Sequence, residues 1–446
     1  MDRQLSQEVS LLRILAANLE RTVIPIDPRV ADLWREQGIE LPAQAPETRT
    51  TIRPPGREAL FKFAECIVTR FPTMARGAVF QSVQAELFGQ LEPYVGRDPQ
   101  SVKAEDAQKL LEHFDGWFQG LAQPRRVYIP CVITPWPAPH FMIGPVSFVF
   151  IDDIASSDFY PRGPGSDALT RQSFDELIAL MRHTHANWLA RIEIEGCDQE
   201  RAQEVAELAI DLALVALQLA APNLDTRSMC RLDARRGFVE KRTFSEAGGH
   251  SNWGIHRREP GTAIGPGTLQ AVLRDTQQLI TAVGHVVASF ASGSYRLPTL
   301  ERAWCDAAYW MRESLFDAID SLAVTKLETA LEVLICTEAS KNSTARVMTA
   351  LQNLLGVKRD EPILPPFEIT AETLVTTLVR DRSRIMHGTW STLGARVPSR
   401  RDGVEAVVGA VLRQAAIQLD AYAREAAPVD TIEAFLGWLE QKRAAA

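Results

Sequence analysis

The sequence predicts a mainly α protein: an amino-terminal α+β region containing a small β-sheet, followed by a carboxy-terminal antiparallel helical bundle. Three observations carry this. Apolar residues recur at helical spacing, as in Leu322, Leu327, Leu331, Leu334 and Ile335 and again in Val347, Leu351, Leu354 and Leu355, the pattern of helices that bury one face against each other. The period changes at Val127–Thr134 and Phe141–Ile151, where β-branched and aromatic residues crowd together. The chain has 446 residues, more than one compact core holds, so two or three domains are expected.

Composition narrows the class. Hydrophobic residues make up 46% and charged residues 23%, the balance of an ordinary globular chain. No apolar run is long enough for a transmembrane helix, so no membrane partner is expected. The start, MDRQLSQEVSLLRILAANLERTV, reads as an amphipathic helix without the basic start, apolar centre and cleavage site of a secretory signal. Cysteines 66, 131, 197, 230, 305 and 336 include no C-x-x-C pair. They read as buried thiols of a reducing cytoplasm, and neither a metal site nor a disulfide framework is expected. No cofactor motif is present: glycine-rich phosphate loops, G-x-S-x-G and H-E-x-x-H are all missing. The net charge of −8 argues against a nucleic-acid coat protein, but local charge at a site outweighs the sum, so an RNA enzyme is not excluded.

Taken in order, residues 1–56 hold amino-terminal helices, broken near Pro25 and Pro28, and a proline-rich linker over 41–56. Residues 57–262 form an α+β region. Its helices are expected at Arg57–Arg70, Gly77–Leu91, Ala104–Leu121, Ser173–Ile194 and Glu200–Ala221. Its small sheet spans about 127–151, with Gly144-Pro145 marking a bulge or an edge. His183 and His185, two apart on a helix, point to different sides and make no metal pair. RRGFVEKRTFSE suggests short strands, whereas GGHSNWGIHRREPG, with His250, Trp253 and His256, reads as loop. Residues 263–446 are helical, with the bundle over about 300–446. Helices are expected at Thr268–Ala291, Leu300–Phe316, Ser321–Ala339, Thr344–Leu355, Thr370–Met386, Gly403–Arg424 and Thr431–Arg443.

The densest chemistry lies in Leu378–Trp390, LVRDRSRIMHGTW. Arginine neutralises a phosphate and histidine moves a proton, so Arg382 and His387 suffice in principle to cleave RNA without a metal. Residues five apart on a continuous helix are separated by roughly 140°, so the two do not share a face of an ideal helix. Two arrangements bring them together. The helix ends at Met386 with Gly388 as a left-handed cap, or two copies of the chain meet. At the end of a helix, beside the negative end of its dipole, His387 is placed to act as acid or base near neutral pH. Arg380 and Arg384, one turn apart, make a basic edge, and Arg396, Arg400 and Arg401 extend it as an RNA-binding surface. The structural alternative is that an arginine here pairs with a carboxylate such as Asp381.

From about Leu322 to Trp390 the sequence resembles the HEPN superfamily, in particular its Apea-like branch. The resemblance rests on Arg382-Ser383-Arg384-Ile385-Met386-His387-Gly388, on the upstream core Ala330-Leu331-Glu332-Val333-Leu334, and on Ala345-Arg346-Val347-Met348 with Leu354-Leu355-Gly356 between them. Met348 stands where the family has a small residue, and the gap after it is longer. The resemblance implies a helical bundle that homodimerises, bringing both Arg–His pairs into one cleft of a metal-independent ribonuclease. It implies that Arg382 holds the scissile phosphate, that His387 is general acid or base, and that Ser383 orients either. Glu332 would tether Arg382 from the facing helix, or is a core-edge glutamate without that role. The implied setting is bacterial anti-phage defence or a toxin-like stress response, with a phage-derived or small-molecule trigger acting on the amino-terminal region. The reading of a different class is a catalytically silent HEPN module for dimerisation, RNA binding or ligand sensing.

Overall fold

The computed structural model describes residues 3–24, 47–162, 168–222, 226–233, 240–257, 261–336, 343–364, 369–393 and 401–444. The chain is mainly helical with small antiparallel sheets, and no described helix is long and apolar enough to cross a membrane. It divides into two compact units, 1–125 with 195–204, and 126–194 with 205–446. The division does not follow the three segments expected from the sequence, because the small sheet belongs to the same unit as the carboxy-terminal helices.

The first unit opens with α1 (Arg3–Asn18) and a two-stranded antiparallel ribbon, β1 (Leu19–Ile24) on β2 (Glu47–Ile52). Helices α2 (Pro54–Arg70), α3 (Pro72–Gly77), α4 (Phe80–Gly89) and α5 (Ala104–Leu121) follow. Their apolar stripes meet in one core that includes Leu12, Leu15, Phe63, Ile67, Leu87 and Phe114. Part of the expected 41–56 linker is therefore ordered structure: Glu47–Ile52 pairs as a strand, and Pro54 opens a helix, where its missing N–H costs nothing. The second helix expected near Pro25 and Pro28 lies outside the described residues.

The second unit carries a five-stranded sheet in the order β4-β5-β6-β3-β7. Its strands are β3 (Arg125–Val132), β4 (Phe141–Ile143), β5 (Val146–Phe150), β6 (Trp188–Ile194) and β7 (Cys230–Arg231). Arg125, the first residue of β3, falls in the first unit. Gly144-Pro145 is not a bulge but the two-residue turn that leads from the edge strand β4 into β5, where Ile143 pairs with Val146. Helix α6 (Ala168–Thr184) stops at His185, which takes φ 58°, and the residues from Trp188 form β6. A helix running to Ile194 was expected. The burial of WLARIEI is that of a strand: Trp188, Leu189 and Ala190 are buried in succession, and beyond them Ile192 and Ile194 share one buried face with the exposed Glu193 between them. Helix α7 (Gln199–Ala220) starts in the first unit and continues into the second.

The expected loop after Glu246 is also strand. β8 (Glu240–Ala247) and β9 (His250–Arg257) form a hairpin closed by Gly248-Gly249, whose φ values of 59° and 78° suit a type I′ turn. Trp253 pairs with Phe244, and both are exposed. His250, an odd number of residues from Trp253, points to the opposite face of the hairpin.

The remaining helices are α8 (Thr268–Asp275), α9 (Gln277–Ser292), α10 (Pro298–Leu315), α11 (Asp320–Leu334), α12 (Ser343–Leu355), α13 (Ala371–Met386), α14 (Arg401–Tyr422) and α15 (Ile432–Ala444). A short ribbon, β10 (Pro362–Leu364) on β11 (Ile369–Thr370), precedes α13. The single helix expected over Thr268–Ala291 breaks at Thr276, whose backbone leaves helical geometry. Helix α11 packs against α10, α12, α13 and α14. The buried Trp304 of α10 donates its indole N–H to the Leu412 carbonyl of α14 at 3.0 Å.

Candidate functional site

Helix α13 buries Ala371, Leu374, Val375, Leu378, Asp381 and Ile385, the stripe that faces α11 and α12. Thr370 caps its first turn, its hydroxyl accepting from the Thr373 N–H at 3.3 Å. Arg382 lies one turn beyond Leu378, at the edge of that stripe, and so reaches toward α11. Its Nε stands 3.4 Å from a Glu328 carboxylate oxygen and its guanidinium 3.4 Å from Glu332. Arg382 remains 34% exposed, whereas Glu328 is 1% exposed.

Glu328 and Glu332 are one turn apart on α11, a like-charge pair that is unfavourable on a helix. Two features offset this. Arg382 sits against both, and Glu328 is pushed up to about 8, by burial first and by the neighbouring Glu332 carboxylate second, with Arg382 pulling the other way. Glu332 is the acceptor for the Ser343 hydroxyl at 2.6 Å, which joins α12 to the cluster. The sequence reading singled out Glu332 and passed over Glu328. The signal was present, since L-E-T-A-L-E repeats a glutamate at helical spacing along the flank of an apolar stripe.

The helix ends as its glycine demands. His387 is the cap residue and Gly388 takes φ 68°. The Thr389 N–H reaches the Arg384 carbonyl at 3.0 Å and the Gly388 N–H reaches Ile385 at 3.1 Å, the paired bonds of a Schellman motif. The segment beyond is anchored back on α11, with the Ser321 hydroxyl donating to the Thr392 carbonyl at 2.7 Å. His387 is exposed. No hydrogen bond or ion pair joins its imidazole to another described residue.

The other expected residues divide. Ser383 is half-buried, and its carbonyl accepts from the His387 N–H at 3.0 Å. Arg380 and Arg384 are exposed on α13. Asp381, the carboxylate weighed as a partner for Arg382, instead takes Arg380 at 3.4 Å, and Arg384 lies over the Trp390 ring at 5.0 Å. Arg401 departs from the expectation of a phosphate contact. Its guanidinium is 14% exposed and is occupied inside the chain, by Glu405 at 2.7 Å and by the Ser314 and Asp317 carbonyls at 2.8 and 2.7 Å. Those carbonyls lie at and just beyond the end of α10, where the helix dipole favours a cation. Arg396 and Arg400 lie outside the described residues.

A histidine–carboxylate pair, unread in the sequence, joins His285 Nδ1 to the buried Asp420 at 2.7 Å, with Arg296 on the same carboxylate at 2.8 Å. Its members come from positions more than a hundred residues apart, and no local spacing announces it. Among the described residues no group of three or more His, Cys, Asp or Glu side chains is placed to hold a metal ion, and the cysteines are free thiols. Comparison with protein-family models, with curated proteins and with solved structures gives no match.

Proposed function

We propose that this chain is a metal-independent endoribonuclease of the HEPN type, working as a homodimer through its helical region. The observation that supports this best is the placement of Arg382. The guanidinium is held by carboxylates of the facing helix and is still one-third exposed, while an unengaged imidazole ends the same helix. A guanidinium fixed in advance stabilises charge developing on a phosphate without reorganising at the moment of reaction. His387 takes the proton from a ribose 2′-hydroxyl, or delivers one to the departing 5′-oxygen. Attack of the 2′-oxygen on phosphorus breaks the bond to the 5′-oxygen and leaves a 2′,3′-cyclic phosphate and a 5′-hydroxyl. Arg380 and Arg384 supply the adjoining basic edge for the RNA backbone. The two chains of a dimer bring a guanidinium from one and an imidazole from the other into one cleft. Bacterial anti-phage defence or a toxin-like stress response, released by a phage-derived or small-molecule trigger at the amino-terminal region, is the setting proposed.

A second reading has its own observation. Arg382 is turned inward onto Glu328 and Glu332, as an arginine kept only to tie two helices would be. On that reading the chain is a silent dimerisation, RNA-binding or ligand-sensing module. The test is incubation of a mixed RNA pool, with EDTA present, with wild-type protein and with His387→Ala. Cutting by wild type alone, with cyclic phosphate ends, is expected. Equal cutting by both overturns the assignment of His387. No cutting by either, in buffer and in lysate of phage-infected cells, favours the silent module.

A further inference from the structure

Helix α10 is packed on one side and bare on the other. Trp304, Ala307 and Met311 are buried, while Arg302, Asp306, Tyr309 and Trp310 are exposed. The two adjacent aromatic rings are 39% and 37% exposed. Large aromatic side chains at the surface are characteristic of contact faces.

The polar residues around them are ordered. Arg302, Asp306, Tyr309 and Glu313 follow at intervals of four, three and four. At about 100° per residue they fall within roughly 60° of one another, with Trp310 on the flank. The Arg302 guanidinium lies over the Tyr295 ring at 4.8 Å and has no ion-pair partner among the described residues. Asp306 and the Tyr309 hydroxyl have no hydrogen-bond partner among them. Glu313 touches Arg312 at 3.3 Å, but Arg312 is held more closely by the buried Asp211, at 2.7 Å.

The stripe therefore begins with a cation and ends with an anion, and its spacing is the same in both directions. Such a face is complementary to itself. Laid antiparallel on a second copy about a two-fold axis between Asp306 and Tyr309, Arg302 meets the partner's Glu313 and Asp306 meets the partner's Tyr309, each contact occurring twice. Beside the first half of the stripe runs an open groove of about 370 Å³, lined by Pro298, Thr299, Arg302, Ala303, Asp306 and Val333. The same two-fold brings Trp310 of the second half opposite this groove.

We propose that this face of α10 is a contact between two copies of the chain, with the Trp310 of each seated in the groove of the other. The contact rests on the ribonuclease reading only for the use made of the dimer, since self-association is measured without RNA. The test is sedimentation equilibrium of the full-length protein, expected to show a dimer. Each substitution enters the contact twice, so Arg302→Glu and Glu313→Arg are each expected to raise the dissociation constant at least about tenfold, like charges then facing each other. The variant carrying both changes exchanges the signs and is expected to return to within about threefold of wild type, a rescue that misfolding of the single variants would not give. Trp310→Ser is expected to be monomeric. A wild type that is monomeric at about 100 μM overturns both this contact and the homodimer proposed above. A dimer that the single reversals leave intact, or that the double variant does not restore, overturns this contact alone.

Discussion

Arg382, Glu328 and Glu332 act on one another through charge and burial, and this makes them measurable without any RNA. Glu328 sits near 8 in the folded chain against an ordinary 4.5, so between those values the folded state keeps a proton that the unfolded state releases. Raising the pH across that window therefore favours unfolding, and the loss is complete above the upper value. Glu328→Gln keeps the size of the side chain and removes the charge. Its melting temperature is expected to fall less than that of wild type between about pH 5 and pH 9, and to exceed it at the alkaline end. Parallel curves would show that the Glu328 carboxyl is not raised in the folded chain. The same cluster decides which variant tests catalysis cleanly. Arg382→Ala leaves the Glu332 carboxylate and the buried Glu328 carboxyl without their cation, at a cost to the fold, whereas the exposed His387 can be removed with little structural consequence.

The end of α13 rests on one backbone conformation. Gly388 adopts φ 68°, and a Cβ there meets nothing within 4 Å, so substitution strains the backbone alone. Gly388→Ala is expected to cost about 1 kcal/mol, the penalty of a left-handed residue with a Cβ, read as a lowered midpoint in urea unfolding. An unchanged midpoint would mean that the cap contributes nothing. On the ribonuclease reading RNA cleavage should fall as well, because the cap sets where His387 projects. This cap was legible in the sequence as a glycine directly after a helical stripe, and so were most helices, whose apolar spacing survives in the structure to within a few residues. The strands were harder. Trp188–Ile194 is buried on both faces in part, and such a run looks the same as the end of a buried helix. His250–Arg257 was hidden by glycine, serine and asparagine, which signal loop until Gly248-Gly249 is recognised as a hairpin turn.

The arrangement proposed for the whole assembly makes a prediction that neither variant tests alone. If each site takes Arg382 from one chain and His387 from its partner, a heterodimer of Arg382→Ala with His387→Ala keeps one intact site. Mixing the two inactive variants is then expected to restore about a quarter of wild-type RNA cleavage, since half of randomly paired dimers are mixed and each carries one working site of two. Mixtures as inactive as their components would place both residues of a site in one chain. The division into two units was not legible in the sequence. The core of the first unit closes around α1, α2, α4 and α5, and the chain returns to it at 195–204 after building most of the sheet elsewhere. No composition shift marks such a return.

Periodicity and local turn chemistry were enough to specify the helical class, the bounds of most helices, the cap at Gly388, and the co-occurrence of Arg382 and His387 at one helix end. These depend on residues within a turn or two of each other, and local sequence encodes them directly. Partnership across elements required packing. Glu328 against Arg382, Arg401 spent on the end of α10, and the place of β6 between β5 and β3 all join positions distant in the chain. Which charged group faces solvent and which faces a carboxylate depends on the neighbour that folding brings up. Spacing along the chain carries no record of that neighbour.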